Sequence, residues 1–219
     1  MNRTHPGQIM ARKVVIRKMK TGIKSYVLLI SVLIFLLAVP VDCFSQSATV
    51  PINITVNGNL TISDANNDAS SGKNPTINVS LSVTPDLGAA QATGNANFRI
   101  RTNRSAWRLT AQRTTEVDTG PTNIIAMDVG LLITTQVGSN ADALAGSLVA
   151  PFNSQTNVGS ISTAAPVNVV NGTKKTSTTR DSSNVNNYFQ VNTQYSIFPD
   201  FFYTPGTWST TITYNLVSP

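Results

Sequence analysis

The sequence predicts an all-β protein, a single β-sandwich of about eight or nine strands with immunoglobulin-like or related Greek-key topology, that follows a cleaved signal peptide. Two observations carry this prediction. Short runs of alternating apolar and polar residues recur along the chain after residue 45, and clusters of Gly, Pro, Asn, Asp and Ser separate them. This region has no convincing helical periodicity, and evenly spaced short strands are typical of a sandwich.

Residues 1–45 are predicted to be a secretory signal peptide. Residues 26–39 form an apolar run of 14 residues, which is shorter than the roughly 20 that a membrane-spanning helix needs. Lysines precede this run, and Cys43-Phe44-Ser45 provides a cleavage site flanked by small residues. We therefore expect export, cleavage after Ser45, and no membrane span in the mature form. Translation can begin at Met1 or Met19.

Removal of the leader changes the charge balance. The precursor has 16 basic and 10 acidic residues. Seven of the 16 basic and one of the 10 acidic residues lie in residues 1–45, so the mature chain has nine of each. A nucleic-acid partner is not expected, because binding to phosphates needs a surplus of Lys and Arg. His5 and Cys43, the only His and Cys, also leave with the leader.

The loss of these two residues restricts the chemistry of the mature chain. It has no thiol for a disulfide and no His or Cys for tetrahedral zinc. A nucleophilic Ser needs an adjacent base, and the lysines lie in polar loop sequence. A calcium loop at residues 64–68 lacks its turn Gly and its closing Glu, so an Asx-rich turn is favoured there. We expect no catalytic residue, no metal and no cofactor.

The predicted domain spans residues 46–219. Alternation predicts a hairpin over residues 48–63 with its turn at Asn57-Gly58, and then strands at residues 77–83, 98–100, 107–111, 125–133, 167–170, 189–197 and 208–216. Residues 98–100 and 107–111 are expected to form one hairpin, and residues 125–133 a central strand. Residues 64–75 and 171–187 are predicted loops, and residues 141–148 can form a short helical turn.

The closing strand carries a resemblance to a known family. Its residues Trp208, Ile212, Thr213, Tyr214 and Leu216 resemble the C-terminal signature of WxL bacterial cell-surface domains. That signature reads Tyr-x-x-x-Leu-Thr-Trp-x-Leu, so here Trp stands at the Tyr position and Tyr at the second Trp position. The family's earlier Trp-x-Leu motif matches Trp107-Arg108-Leu109. The resemblance implies non-covalent attachment to the cell wall, with Trp107, Leu109, Trp208, Ile212, Tyr214 and Leu216 as the framework.

A group of arginines is the predicted contact surface. If Phe98, Ile100, Trp107 and Leu109 face the core, the arginines between them project from the opposite face of the same hairpin. The members of this group are Arg99, Arg101, Arg104 and Arg108. Arginine binds phosphate and carboxylate with two parallel hydrogen bonds. A solvated face that discourages edge-to-edge pairing is the favoured alternative.

The sequence therefore predicts a secreted, non-enzymatic cell-surface or adhesion protein whose partner is a cell-wall polymer or another surface protein. One alternative is a structural subunit of a surface fibre that assembles by strand addition, with residues 48–56 as the donated strand. Another is a carbohydrate-binding module that uses the aromatic residues between 198 and 208. Those aromatics are more often core and corner packing.

Overall fold

The computed structural model of this chain describes residues 50–219. The predicted signal peptide and the first four residues of the predicted mature chain lie outside the described residues. The described residues fall into two parts, residues 50–54 and a compact unit of residues 55–219. Among residues 50–219, no helix has the length and apolar character that a membrane crossing requires.

The described residues form eleven β-strands and two short 3-10 helices at Ser70–Gly72 and Val158–Ser160. The strands, in chain order, are β1 (Leu60–Asp64), β2 (Ala92–Thr102), β3 (Trp107–Arg113), β4 (Val117–Thr119), β5 (Gly130–Val137), β6 (Gly146–Leu148), β7 (Thr156–Asn157), β8 (Val167–Gly172), β9 (Phe189–Ile197), β10 (Thr207–Ser209) and β11 (Ile212–Val217).

The strands build an all-β sandwich. One sheet has five strands in the order β1-β2-β9-β5-β7, and the other has four strands in the order β11-β3-β8-β6. A separate ladder joins β10 to β4. All of these pairings are antiparallel. The predicted fold class is confirmed, with more strands than predicted because β4, β6, β7 and β10 span only two or three residues each.

The core lies between the two sheets, because alternate residues of each strand point inward. The five-stranded sheet contributes Phe98, Ile100, Leu131, Phe189 and Val191, and the four-stranded sheet contributes Trp107, Leu109, Ala111, Val169 and Val170. The Trp107 and Phe189 rings meet edge to face across the interface, with centroids 5.5 Å apart. Each fully buried large apolar side chain stabilises the fold by about 1.5–3 kcal/mol.

Several sequence predictions match the structure. Strand β9 has the predicted bounds, and β3 and β8 contain residues 107–111 and 167–170. The predicted inward residues of β2 and β3 are buried (Phe98, Ile100, Trp107 and Leu109). The predicted loop at residues 171–187 is confirmed for residues 173–187, whereas residues 171–172 belong to β8.

The predicted hairpin at residues 48–63 is wrong over its described part. Only residues 60–64 form a strand, and β1 pairs with β2 rather than with residues 50–56. Residues 77–83 also lie outside any strand, although side chains alternate between partly buried and exposed from residue 75 to 86. No backbone–backbone hydrogen bond among the described residues involves residues 75–85. Alternation therefore reports burial here, and not the presence of a pairing partner.

Four further predictions are corrected. Strands β2 and β3 follow each other in the chain but belong to different sheets, so they are not one hairpin. Strand β5 starts only at Gly130, because residues 126–128 form a turn. It is an inner strand, with β9 on one side and the short β7 on the other. Residues 141–148 form turns and β6, with no helix. The predicted closing strand is split at Thr210-Thr211 into β10 and β11.

Candidate functional site

Two of the four predicted contact arginines are already engaged within the protein. Arg99 and Arg101 project from the outer face of the five-stranded sheet, and both form salt bridges with Asp68. The Arg99 Nη1 atom lies 2.8 Å from Asp68 Oδ2, and Arg101 Nη1 lies 2.6 Å from Asp68 Oδ1. The Arg99 guanidinium also stacks 4.0 Å from the centroid of the Tyr188 ring.

Arg101 also ties the sheet to the loop after β8. Its Nε donates to the Asn184 carbonyl at 2.7 Å, and its Nη2 donates to the Val185 carbonyl at 3.1 Å. Burial alone would raise the pKa of Asp68, but hydrogen bonds from Arg101, Arg99 and Ser63 outweigh it and lower the pKa to about 2. This arrangement holds a loop against the sheet and engages all three guanidinium nitrogens of Arg101. Arg99 uses one donor on Nε and one on Nη1 of the five that its guanidinium carries.

The other two arginines lie elsewhere. Arg104 is exposed in the connection between β2 and β3. Arg108 is exposed on β3, which belongs to the four-stranded sheet. Arg99 and Arg108 therefore project from opposite outer faces of the sandwich, and the prediction of one arginine face on one hairpin is wrong. The physical reason is the crossing between sheets after Thr102, which sequence alternation does not reveal.

The acidic loop at residues 64–68 has the geometry of an Asx turn. The Asn66 backbone amide donates to Asp64 Oδ1 at 2.8 Å, and Ser63 Oγ donates to Asp68 Oδ1 at 2.9 Å. The Asp68 carboxylate is thus held by a hydroxyl group and by two arginines. This matches the favoured interpretation of the segment as turn sequence.

The motif residues lie together on the four-stranded sheet, with one exception. Trp107 and Leu109 are buried on β3, and the indole Nε1 of Trp107 donates to the Lys174 carbonyl at 2.8 Å. Strand β11 pairs directly with β3, placing Leu216 opposite Leu109. Ile212, Tyr214 and Leu216 are half-buried against the core. Trp208 is the exception, because it lies on β10.

A groove runs along β11. It has a volume of about 790 Å³ and lies between residues 74–80 on one side and residues 209–215 on the other. Its floor contains Ile62, Ala96, Phe98 and Tyr195 from the five-stranded sheet. The Tyr195 and Tyr214 hydroxyl groups lie 3.3 Å apart, and burial raises the pKa of Tyr214 well above its usual value. The groove therefore has a largely apolar floor with uncharged tyrosines.

One wall of this groove is a free sheet edge. Among residues 50–219, strand β11 pairs with β3 on one side only and is the outermost strand of its sheet. The Thr114 amide donates to the Thr211 carbonyl at 2.9 Å, and the ladder continues in register from Ile212 opposite Arg113. Because antiparallel pairs alternate between bonded and non-bonded, the backbone groups of Ile212, Tyr214 and Leu216 point away from β3. These residues offer free donors and acceptors beside the groove.

Residues 50–56 expose apolar side chains to solvent. Their apolar side chains alternate with Pro51, Asn53 and Thr55, and none of these seven residues belongs to a strand. The apolar side chains are largely exposed: Val50 77%, Ile52 80%, Ile54 83% and Val56 79%. Exposed strands with apolar side chains on one face are the usual templates for intermolecular pairing. We call residues 50–56 the apolar segment.

Sequence reasoning found the apolar segment but missed the groove. Alternation at residues 50–56 is visible in the sequence. A free edge depends on the strand order of the whole sheet, and no local pattern encodes that order.

Three of the late aromatics are also exposed, contrary to the favoured prediction of core packing. They are Phe198 (64%), Phe201 (71%) and Phe202 (69%). Tyr203 and Trp208 pack against the core.

No protein-family model and no curated protein match this sequence. The resemblance to WxL domains accordingly stays a prediction that rests on the motif residues.

Proposed function

We propose that this protein is an exported, non-enzymatic cell-surface subunit whose copies join by strand addition, with the apolar segment as the donated strand. The observation that carries the proposal is the exposure of its four apolar side chains, each between 77% and 83%. In strand addition, backbone hydrogen bonds supply affinity and alternate side chains fill pockets. A segment with one apolar and one polar face meets both requirements.

The free energy of burying this segment can be compared with the cost of association. Complete burial of each Val or Ile side chain contributes about 1.5–3 kcal/mol, so the four together contribute about 6–12 kcal/mol before costs. Association itself costs about 4–15 kcal/mol. Apolar burial alone is therefore marginal, and stable joining requires an acceptor that also pairs with the backbone.

Attachment to a wall polymer stays a prediction of the WxL resemblance. The four arginines do not support it as a single contact surface, because Arg99 and Arg101 are bonded to Asp68 and Arg108 lies on the other sheet. The proposal keeps the predicted location at the cell surface and changes the contact from arginines to strand pairing. The sequence feature behind export is the predicted leader, residues 1–45.

The test is a pair of charge substitutions in adjacent residues of the exported protein. Ile52→Asp places a carboxylate on the apolar face of the segment, and Asn53→Asp places the same charge on its polar face. Both side chains are exposed, so neither change should affect the folding of the unit. In sedimentation velocity, we expect the parent and Asn53→Asp to form oligomers that grow with concentration, and Ile52→Asp to remain monomeric. Equal assembly of all three proteins would contradict the proposal.

A further inference from the structure

We infer that the acceptor for the apolar segment is the groove along β11 of a second copy, and that the segment pairs with β11 in the antiparallel direction. This inference rests on the proposed function and names its partner: another molecule of the same chain. Four features of the molecule support it: the length of the free edge, the chemistry of the groove, the position of Pro51, and the place where the segment joins β1.

Donor and acceptor match in length and in chemistry. At about 3.3–3.4 Å per residue, the seven residues of the apolar segment and the six of β11 both extend about 20 Å. Val50, Ile52, Ile54 and Val56 would face the floor formed by residues such as Ala96 and Phe98. The intervening Asn53 and Thr55 would then point to solvent, as Thr213 and Asn215 of β11 already do.

Pro51 selects the direction of pairing. In an antiparallel pair, the side chains of two residues directly opposite each other lie on the same face of the sheet. The N–H and C=O groups of these two residues either both point toward the other strand or both point away from it. The inward residues Ile212, Tyr214 and Leu216 direct theirs to the free edge, so the inward donor residues 50, 52, 54 and 56 would bond to them. Pro51 would then direct its ring nitrogen away from β11, where a missing N–H costs nothing. In a parallel pair, Pro51 itself would have to donate.

The position of Asn57 favours pairing with β11 of a second copy over pairing with β11 of the same molecule. The Asn57 carbonyl accepts a hydrogen bond from Asn103 Nδ2 at 2.8 Å, just beyond the end of β2. Val217, at the end of β11, lies close to this connection, because it pairs with Arg108 and Ser218 Oγ donates to the Ala106 carbonyl. Val56 is thus held near the Val217 end of β11. Antiparallel pairing needs Val56 near Ile212, about 17 Å along the strand.

This arrangement has a consequence for the assembly. Each copy has one apolar segment and one β11 edge, so each copy can donate once and accept once. Head-to-tail contacts of this kind build open filaments unless the rotation between copies closes a ring. The inference therefore assigns an open filament or a closed ring, of which a reciprocal two-fold dimer is the smallest.

Amide hydrogen exchange measured by NMR tests the acceptor residue by residue. The sample is the exported Ile52→Asp protein with a synthetic peptide of residues 50–57 added in excess. In β11, the amides of Thr213 and Asn215 point to β3, so they should exchange slowly with or without peptide. The amides of Ile212, Tyr214 and Leu216 should exchange fast without peptide and at least about tenfold more slowly with it. The alternation within one strand is the internal control.

Other outcomes separate the inference from the proposed function. Protection that appears instead at β6, at β7 or at residues 92–96 of β2 overturns the β11 acceptor and leaves strand addition intact. A parent protein that is monomeric at all concentrations, yet protected at Ile212, Tyr214 and Leu216, overturns the second copy as occupant. A peptide that binds nowhere, at concentrations far above those at which the parent assembles, overturns the proposed function itself.

Discussion

Asp68 is the residue that connects the outer face of the five-stranded sheet to its neighbouring loop. Its carboxylate holds Arg99 and Arg101, and Arg101 in turn holds the carbonyls of Asn184 and Val185. The pKa of Asp68 is lowered from 3.8 to about 2. A lowered pKa of an acid means that its contribution to stability is present above pH 3.8 and is lost as the pH falls toward 2.

Replacement of Asp68 by Asn should lower the free energy of unfolding by about 1–2 kcal/mol at pH 7, after allowance for solvent screening of a partly exposed carboxylate. The stability of the parent should fall between pH 4 and pH 2, and the variant should lose less over the same interval. Urea unfolding at several pH values measures both effects. Asp86→Asn is the matched control, because the Asp86 side chain makes only one hydrogen bond within residues 50–219, with the amide of Leu87. Identical pH profiles for parent and Asp68→Asn would contradict this account.

Arg101 and Arg108 should respond differently to the same substitution. Arg101→Gln removes the salt bridge and the hydrogen bonds to Asp68, and it should destabilise the protein by about 1–3 kcal/mol. Arg108→Gln changes an exposed side chain and should alter the stability by no more than about 0.5 kcal/mol. The midpoints of thermal or urea unfolding measure the difference. Equal destabilisation by both substitutions would show that the contacts of Arg101 do not stabilise the fold.

Among the strands, the alternation of apolar and polar residues predicted the bounds correctly where the segment pairs with a neighbouring strand. Strand β9 has its predicted bounds because both of its edges are covered, by β2 and β5, and its alternate residues are buried. Residues 75–86 show the same alternation in burial but have no ladder. The difference is the partner, which is determined by contacts remote in sequence.

The arginine prediction failed for the same reason. A four-residue connection between two alternating runs is typical of a hairpin, and the residues inward on each strand were predicted correctly. Periodicity identifies the face of a strand but not the sheet to which it belongs. Because β2 and β3 join different sheets, the arginines were separated, and the groove beside β11 had no local signature.

Strand β11 should be essential for the fold, although it is an edge strand. Ile212, Tyr214 and Leu216 pack against the core, and the Tyr214 ring lies 5.0 Å from that of Phe98. Their loss should remove several kcal/mol from a domain stability of about 5–15 kcal/mol. A protein that ends at Thr211 should therefore show no cooperative thermal transition in near-UV circular dichroism. A cooperative transition near that of the parent would show that β11 is dispensable.

The molecule as a whole has two features that complement each other. The apolar segment exposes four apolar side chains, and β11 has a free edge beside a groove of about 790 Å³. Native proteins usually cover or charge such edges. Pairing of the apolar segment of one copy with β11 of another would cover the edge and the segment at once.

Disulfide cross-linking between copies that carry cysteines at different positions tests this pairing. One copy carries Asn53→Cys or Thr55→Cys, and the other carries a cysteine at position 211, 213 or 215, all in a Cys43→Ser background. Disulfides form only when the Cα atoms lie within about 7 Å. We predict that position 53 cross-links to one of the three acceptor positions. Position 55 should then cross-link to the acceptor position two residues earlier in the sequence, because antiparallel strands run in opposite directions. Assembly of these copies without a cross-link at any of the three positions would contradict this pairing, and a shift to a later position would contradict the direction.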